Sequence, residues 1–294
     1  MKIYRSTLFI PGNKPRWMEQ IDTYNVDAVI LDMEDSVPIE EKEVARSNIS
    51  SILSKFSRLT GTDIFVRINK KLNNYDEEDL HAIIRPGLDG IVLPKVELPH
   101  EIDKLSSTFA ELEKQNNLPI ESLKVLPILE TAKSLHFAYE IALCDRVVGI
   151  TGLSSKNGDV ERALNTRWTP EGMESLYVKS KVVLAARAAE VTPIGGLWQD
   201  VHDHKGLEKS AKFNRQLGFD GELILHPSNA EVINEIYSPS EEEIAYYRGL
   251  LLAFEDAKQK GDAAIMYDGS HIDIAHVKTA KAVLAFANQI KEKN

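Results

Sequence analysis

The sequence predicts a (β/α)8 barrel, the TIM barrel of the α/β class, with a C-terminal helical extension. The first observation is a series of eight short apolar runs, each nearly continuous, as is typical of parallel strands buried on both faces. The second is that amphipathic segments long enough for helices separate these runs. The eight units occupy about 235 residues, the usual size of such a barrel. The turn at residues 11–14 lacks the G-x-G-x-x-G pattern, which counts against an open dinucleotide-binding sheet.

The elements follow from these two patterns in chain order. Each predicted strand is a run of apolar, largely β-branched residues, and each predicted helix carries apolar residues at helical spacing. The predicted strands are Thr7–Ile10, Ala28–Met33, Ile64–Asn69, Gly90–Val96, Val125–Glu130, Arg146–Gly152, Pro193–Trp198 and Glu222–Pro227. The clearest predicted helices between them are Glu40–Lys55, Glu101–Gln115, Thr131–Leu143, Pro170–Glu190 and Leu207–Leu217.

The pattern changes after His226. Ser238-Pro239-Ser240 followed by three glutamates predicts a helix start with an N-cap and an acidic first turn, and the helix continues to about Lys260. An irregular stretch, Gly261–Ser270, precedes a final helix over Asp273–Lys291. We therefore divide the chain into a barrel domain, 1–237, and an extension, 238–294. So short an extension should pack on the barrel or contact a neighbouring subunit.

Composition excludes several classes of function. The 294 residues contain 35 Lys and Arg against 45 Asp and Glu, a formal net charge of −10. Such a surface repels nucleic acid and anionic lipid, so we expect a small-molecule partner with no nucleic acid and no membrane. The single cysteine, Cys144, is typical of a reducing compartment, and no apolar run approaches the roughly 20 residues of a membrane span. We therefore expect a cytoplasmic protein.

Polar residues follow the predicted strands at the ends where TIM barrels hold their active sites. They are Asp32, Glu34, Asp35, Arg67, Asn69, Lys95, Glu130, Asp159 and His226. Converging carboxylates repel one another unless a cation lies between them. Oxygen ligands without a Cys or His cluster favour Mg²⁺ or Mn²⁺ over zinc. Glu130, directly after an apolar strand, is the position we favour as a ligand, whereas any other single charge is more simply solvated or paired.

Several of these positions allow two interpretations. Asp159 could instead cap a helix beginning at Val160. Arg67 could form a structural salt bridge or bind a carboxylate, and the strand pattern leaves both open. We interpret His226 as a structural hydrogen-bonding residue, and Trp168 and Trp198 as packing residues.

Ten motifs together resemble one known family. They are RSTLFIPGN (5–13), AVILDMEDSVP (28–38), VRIN (66–69), LPKVE (93–97), LPILETA (126–132), GD (158–159), TPEG (169–172), GFDGELILHPS (218–228), SPSEEEI (238–244) and HIDIAHVKTA (271–280). Their order resembles the citrate lyase beta subunit and acyl-CoA lyase family of the HpcH/HpaI aldolase superfamily, which includes malyl-CoA and citramalyl-CoA lyases. The resemblance covers essentially the whole chain.

The resemblance implies a homotrimer or hexamer and an Mg²⁺-dependent cleavage of 3-hydroxyacyl-CoA thioesters. Glu130 matches the family's first metal ligand, and Asp159 matches the second. Arg67 matches the substrate-binding arginine. Asp273 matches an acidic residue that an adjacent subunit supplies as general acid and base.

The remaining positions follow from the same resemblance. Lys14 and Arg16 would contact the phosphates of coenzyme A, and Glu34 and Asp35 would orient metal-bound water. Gly195 and Gly196 stand at a substrate-binding position where many relatives carry an acidic residue. The loop from Gly152 to Asp159 is longer than in relatives, and Asn229 replaces a family glutamine.

The expected reaction is a retro-Claisen cleavage that yields acetyl-CoA and a 2-oxo acid, with a slight preference for citramalyl-CoA over malyl-CoA. Three alternatives remain open at this stage. The chain could be a thioesterase for the same substrates, the citryl-thioester lyase subunit of a citrate lyase complex, or a non-catalytic scaffold barrel.

Overall fold

The computed structural model describes residues 2–56, 61–72, 74–152 and 155–293. The chain divides into two compact units, Met1–Asn234 and Glu235–Asn294. This division lies close to the predicted one at 237/238.

Eight parallel strands form the larger sheet of the first unit within the described residues, and a short antiparallel pair joins Lys70–Lys71 to Asn74–Tyr75. The eight parallel strands are β1 (Ser6–Pro11), β2 (Ala28–Asp32), β3 (Asp63–Arg67), β4 (Gly90–Leu93), β5 (Lys124–Pro127), β6 (Gly149–Thr151), β7 (Thr192–Gly195) and β8 (Gly221–Ile224). Their order in the sheet is β5-β4-β3-β2-β1-β8-β7-β6. Parallel bridges, Val125 to Val147 and Ile128 to Thr151, join the two edges. The predicted (β/α)8 barrel is confirmed.

The barrel interior explains the continuous apolar runs. Side chains from neighbouring strands, including Ala28, Ile30, Phe65 and Val92, form one buried cluster, and the alternate residues of each strand face the helices. Every residue of β2 is buried. Both faces of a barrel strand therefore need apolar side chains, which is why the strands lack a polar alternation.

Helices cover the outside of the barrel. They are α1 (Pro15–Met18), α2 (Lys42–Phe56), α3 (Glu77–Ile83), α4 (Pro99–Gln115), α5 (Ala132–His136), α6 (Ala138–Ala142), α7 (Asp159–Leu164), α8 (Leu176–Ala188), α9 (His204–Leu217) and α10 (Ala230–Ile236). The predicted helix Thr131–Leu143 is interrupted at Phe137, where ψ is 26°. The helix predicted from Pro170 begins only at Leu176, because Gly172 adopts a left-handed conformation with a φ of 70°.

The second unit contains two long helices and a hairpin. The helix α11 (Glu241–Gln259) begins with the predicted cap, since Ser240 Oγ accepts the Glu243 N–H at 3.0 Å. The stretch predicted to be irregular instead contains an antiparallel hairpin, β9 (Ile265–Tyr267) and β10 (Ser270–Ile272). Asp268-Gly269 forms its turn with both φ angles positive, the preferred sequence for such a hairpin. The last helix is α12 (Ile274–Lys293).

The helices of the described residues include none that is long and apolar enough to cross a membrane.

Candidate active site

Charged side chains meet at the carboxyl ends of neighbouring strands. Asp32 ends β2 and Arg67 ends β3, and the two residues are partners in the sheet register. Glu34 follows β2, Lys95 follows β4 and Glu130 follows β5. We call these five residues the β2–β5 cluster. The sheet order places their strands side by side, so residues far apart in sequence become neighbours.

Arg67 forms a two-pronged salt bridge with Asp32. Arg67 Nε donates to Asp32 Oδ1 at 2.6 Å, and Nη2 donates to Oδ2 at 2.6 Å. The guanidinium also lies over the Phe9 ring, 4.9 Å from its centre. Burial alone would raise the pKa of Asp32, but the hydrogen bonds and charge of Arg67 hold it below its ordinary value. Of the two interpretations of Arg67, the structure shows the salt bridge.

Glu34 connects this pair to Lys95. Arg67 Nη1 lies 3.0 Å from Glu34 Oε2, and Lys95 Nζ donates a short hydrogen bond to Glu34 Oε1. Burial raises the pKa of Glu34, although the charges of Arg67 and Lys95 oppose this shift. Lys42 Nζ donates to the carbonyl oxygens of Met33 and Glu34, both at 2.6 Å, and so anchors the backbone that carries Glu34.

Glu130 is a buried carboxylate of the cluster with a raised pKa. Its side chain is 4% exposed, and its Oε1 accepts the Lys95 backbone N–H at 2.8 Å. Burial and the negative charge of Glu34 raise its pKa to about 7, and the charge of Asp159 adds to the shift. Within the described residues its Oε2 accepts no hydrogen bond from the protein. A cation would relieve this concentration of negative charge.

Asp159 lies within electrostatic reach of Glu130 but has a partner of its own. It is the first residue of α7, and Gly158 is the N-cap residue. Arg162 Nη2 donates a short hydrogen bond to Asp159 Oδ1. Residues 153 and 154 of the long loop before it lie outside the described residues.

These carboxylates fit magnesium better than they fit a metal held wholly by protein. The described residues contain no group of three or more His, Cys, Asp or Glu arranged to hold a metal ion. Magnesium commonly needs only one or two carboxylates, because water and substrate supply its other ligands. Glu130, with one oxygen open, and Asp159 match this requirement.

The other predicted site residues occupy different surroundings. Lys14 and Arg16 are exposed and follow the carboxyl end of β1. Lys14 precedes α1, and Arg16 lies within it. Asp35 is exposed and lies 3.4 Å from Lys95 Nζ. Asp273 belongs to the second unit, where its Oδ1 accepts the Ala275 N–H at 2.9 Å at the start of α12. A hydrogen bond with the His276 side chain, together with the one from Ala275, lowers the pKa of Asp273.

Gly195 and Gly196 end β7 at a crowded position. A Cβ on Gly195 would lie 3.1 Å from Glu222 Oε2, so an acidic side chain there would face another carboxylate. Gly196 has a φ of 114°, and its Cβ would lie 2.7 Å from the Leu223 carbonyl oxygen. Glycine is therefore required at position 196, and a side chain at position 195 would crowd Glu222.

His226 has a local structural role. Its Nδ1 lies 2.7 Å from Ser228 Oγ and accepts the Ser228 N–H at 3.2 Å at the start of a 3₁₀ turn.

Sequence reasoning noted Asp32 and Lys95 at the strand ends but gave them no role in the site. The same reasoning missed Lys42 and Phe9 altogether. The available signal was the charged residues at and after the end of β2, which are Asp32, Glu34 and Lys42. Only the fold shows that Asp32 and Glu34 contact Arg67.

The raised pKa of Glu130 predicts a pH dependence for magnesium binding. A protonated carboxyl does not bind the metal, so affinity should rise by up to about tenfold per pH unit below pH 7 and level off above it. Calorimetric titration of Mg²⁺ between pH 5.5 and 8.5 measures this. The variant Glu130→Gln should bind Mg²⁺ weakly, and its affinity should not change near pH 7. A wild-type Mg²⁺ affinity that stays constant across pH 7 would contradict the assignment of Glu130 as a metal ligand.

The chain is similar to known proteins over nearly its whole length. Residues 5–227 match the family model described as HpcH/HpaI aldolase/citrate lyase. The chain is 31% identical to the citrate lyase subunit beta of Leuconostoc mesenteroides over 98% of this chain and 94% of that protein. It is 32% identical to the (3S)-malyl-CoA thioesterase of Cereibacter sphaeroides, over 98% and 95% of the two chains. It is 30% identical to the human mitochondrial citramalyl-CoA lyase, over 98% and 87%.

A solved structure shows the same likeness in three dimensions. The CitE protein of Mycobacterium tuberculosis, in complex with magnesium, acetoacetate and coenzyme A, has a TM-score of 0.75 and 26% identity. The likeness covers 97% of this chain and 98% of that one. With its barrel, its carboxylate-rich strand ends and the matched residues 5–227, the chain belongs to the HpcH/HpaI aldolase/citrate lyase family.

Proposed function

We propose that this protein is a magnesium-dependent carbon–carbon lyase that cleaves a 3-hydroxyacyl-CoA thioester to acetyl-CoA and a 2-oxo acid. Citramalyl-CoA is the preferred substrate and malyl-CoA the second. The observation that carries the proposal is Glu130, buried beside the Arg67–Asp32 pair with a pKa raised to about 7. The names of three relatives, which act as citrate lyase subunit, citramalyl-CoA lyase and malyl-CoA thioesterase, support this substrate class.

Glu130 and Asp159 would hold the metal, with Glu34 and Asp35 orienting water around it. When bound, magnesium supplies a Lewis acid for the hydroxyl and carboxylate oxygens of the part that becomes the 2-oxo acid. Lys14 and Arg16 would contact the phosphates of coenzyme A. Gly195 and Gly196 would line the position of the acyl group.

The protein's own charges suit the remaining steps. In cleavage, the 3-hydroxyl group would give its proton to the carboxylate of Asp273 from a neighbouring subunit, the bond between C2 and C3 breaks, and its electron pair forms the thioester enolate. Arg67, held by Asp32, would stabilise the negative oxygen of that enolate. Asp273 would then return the proton to C2, which forms the acetyl group. Its lowered pKa keeps it ionised at neutral pH, the form that removes this proton in the reverse condensation.

Product analysis tests the proposal. Purified protein with Mg²⁺ and citramalyl-CoA should yield acetyl-CoA and pyruvate in equal amounts, and malyl-CoA should yield acetyl-CoA and glyoxylate. Free CoA with intact citramalate would instead identify the thioesterase alternative. Activity that appears only with copurifying proteins would identify a subunit of a citrate lyase complex, and a protein that neither binds Mg²⁺ nor turns over would be a scaffold.

The variant Asp273→Asn separates the proposed proton transfer from helix capping. Asparagine caps helices as well as aspartate does, so thermal stability should stay within about 0.5 kcal/mol of the wild type. The amide cannot transfer the proton, so kcat should fall by about 10²- to 10⁴-fold with little change in KM. Equal turnover of the two proteins would remove Asp273 from the mechanism.

We also propose a homotrimer, as the family resemblance implies. In this assembly Asp273 of one subunit would serve the site of its neighbour. Mixing inactive Glu130→Gln and Asp273→Asn proteins should restore part of the activity through subunit exchange.

A further inference from the structure

A cavity whose lining contains no residue of the β2–β5 cluster lies between α8, α9 and the loops that precede α8 and follow β7. Its volume is about 160 Å³. Trp168 and Trp198 form one wall, with ring centres 5.7 Å apart and planes tilted by 55°. Phe213 of α9 adds a third aromatic side chain, and Gly172 lines the side next to α8. One wall of the cavity is therefore aromatic.

A buried lysine on α8 also lines this cavity. Lys179 is 6% exposed, and its Nζ lies 3.7 Å from where a Cβ of Gly172 would be. The same Nζ lies 5.7 Å from the centre of the Phe213 ring. Within the described residues Lys179 has no hydrogen bond or ion pair. Its side chain is thus buried, and its ammonium group borders the cavity with the Phe213 ring beside it but without a hydrogen-bond acceptor from the described residues, so an acceptor in the cavity would stabilise it.

The carboxylates around Lys179 have other partners. Glu222 and Glu174 act on its charge from a distance, but Glu222 Oε1 accepts from Asn214 at 2.7 Å and Glu174 Oε2 accepts from Thr169 at 2.8 Å. Neither hydrogen-bonds to Lys179. The structure thus places a positive charge at the cavity with no acceptor from the described residues.

A second donor at the cavity is also unsatisfied. Trp198 Nε1 is buried and has no hydrogen-bond partner within the described residues. The lining also includes two exposed charges, Lys209 and Glu171, which water screens. The cavity therefore has two donors without an acceptor from the described residues, the Lys179 ammonium group and the Trp198 indole N–H, and an acceptor oxygen would satisfy both.

We propose that this cavity, whose lining includes Gly196 but none of the β2–β5 cluster residues, binds a small organic carboxylate with a flat apolar body. The carboxylate would accept from Lys179 and Trp198, and its apolar part would pack against Trp168 and Phe213. Inorganic phosphate satisfies the donors but leaves the aromatic wall uncovered, and a neutral amide covers the wall but leaves the ammonium group uncompensated. The interpretation of Trp168 and Trp198 as packing residues is therefore incomplete.

Calorimetry on the full chain, without Mg²⁺ and without coenzyme A, tests this site independently of the proposed lyase activity. Benzoate, benzamide and inorganic phosphate are the three probes. We expect saturable binding of benzoate, at least about tenfold weaker binding of benzamide, and no measurable binding of phosphate. Tryptophan fluorescence should change with benzoate, because two of the three tryptophans line the cavity. Binding of phosphate without benzoate would overturn the proposal.

Three variants locate the binding. Lys179→Met should weaken benzoate binding by about 10- to 100-fold, and Trp198→Phe, which keeps the ring but removes the N–H, by about 3- to 10-fold. Lys205→Met on α9, at an exposed lysine outside the cavity lining, should bind as the wild type does. Unchanged binding by both cavity variants would overturn the site.

A stability measurement separates a ligand site from a structural lysine. Without ligand, Lys179→Met should melt at the same temperature as the wild type or higher, because it removes a buried charge that has no partner. Benzoate should raise the melting temperature of the wild type and of Lys205→Met only. A lower melting temperature for unliganded Lys179→Met would mean that the lysine stabilises the fold and would overturn the proposal.

Discussion

Replacement of Glu130 by glutamine is expected to lower kcat for citramalyl-CoA cleavage by about 10³-fold. The amide keeps the size of the side chain and an oxygen that can accept the Lys95 N–H. It lacks the negative charge that a divalent cation needs. The loss should therefore come from metal binding and charge stabilisation, with the fold intact.

The wild type and two variants should be compared by a coupled assay for pyruvate at saturating Mg²⁺. Glu97→Gln is the matched control, because Glu97 is half-exposed near the same end of the barrel and pairs only with Lys133 among the described residues, at 3.0 Å. Its turnover should stay within about twofold of the wild type, since exposed ion pairs contribute little. Glu130→Gln turning over at the rate of Glu97→Gln would show that Glu130 is not a metal ligand.

Replacement of Arg67 by methionine is expected to destabilise the protein by about 3–5 kcal/mol. Methionine keeps much of the apolar volume under the guanidinium but removes both hydrogen bonds to Asp32 and the ion pair with Glu34. Two buried carboxylates would then lack their main counter-charge. Removal of one partner from a buried pair costs more than the pair itself contributes, because the remaining charge stays buried.

Urea unfolding at pH 7.5 measures this change. The exposed pair of Arg187 and Asp220 supplies the control, and Arg187→Met should cost no more than about 1 kcal/mol. The double variant with Asp32→Asn and Arg67→Met should be more stable than Arg67→Met alone, because it buries one negative charge fewer. A double variant less stable than Arg67→Met would contradict an electrostatic origin.

The pH dependence has a definite sign. In the wild type the pKa of Asp32 lies below its ordinary value of 3.8, so the pair stabilises the fold above that pH and loses this contribution as pH falls through the lowered pKa. In Arg67→Met, burial should raise the pKa of Asp32, and the variant should lose stability as pH rises. The difference between the two proteins should therefore shrink between pH 7.5 and 5.

Much of the fold could be predicted because it rests on local patterns. All eight strands were identified in order, since a strand buried on both faces is a continuous apolar run. The starts of helices were predicted less accurately than the strands. The helix predicted from Pro170 begins only at Leu176, because Gly172 adopts a left-handed conformation that the sequence did not reveal. The hairpin after Gly261 was missed because Asp268-Gly269, a strong turn signal, lies between very short strands.

The site was only half predictable. The position of Glu130 directly after an apolar strand identified it as a metal-ligand candidate, because barrel strands direct their carboxyl ends to one rim. The choice between a salt bridge and a free binding arginine at position 67 could not be made from the sequence. It depends on the distance to Asp32, which lies on a different strand.

The sequence by itself determined the barrel, the family and the order of the polar strand ends, because these depend on local periodicity and on motifs read along the chain. Tertiary structure alone decided which of those charges meet. It pairs Arg67 with Asp32 and Glu34, raises the pKa of Glu130 by burial, and leaves Lys179 without a described partner beside two tryptophans. Electrostatic energies and burial depend on distances through space, and distances between residues far apart in sequence exist only once the chain has folded.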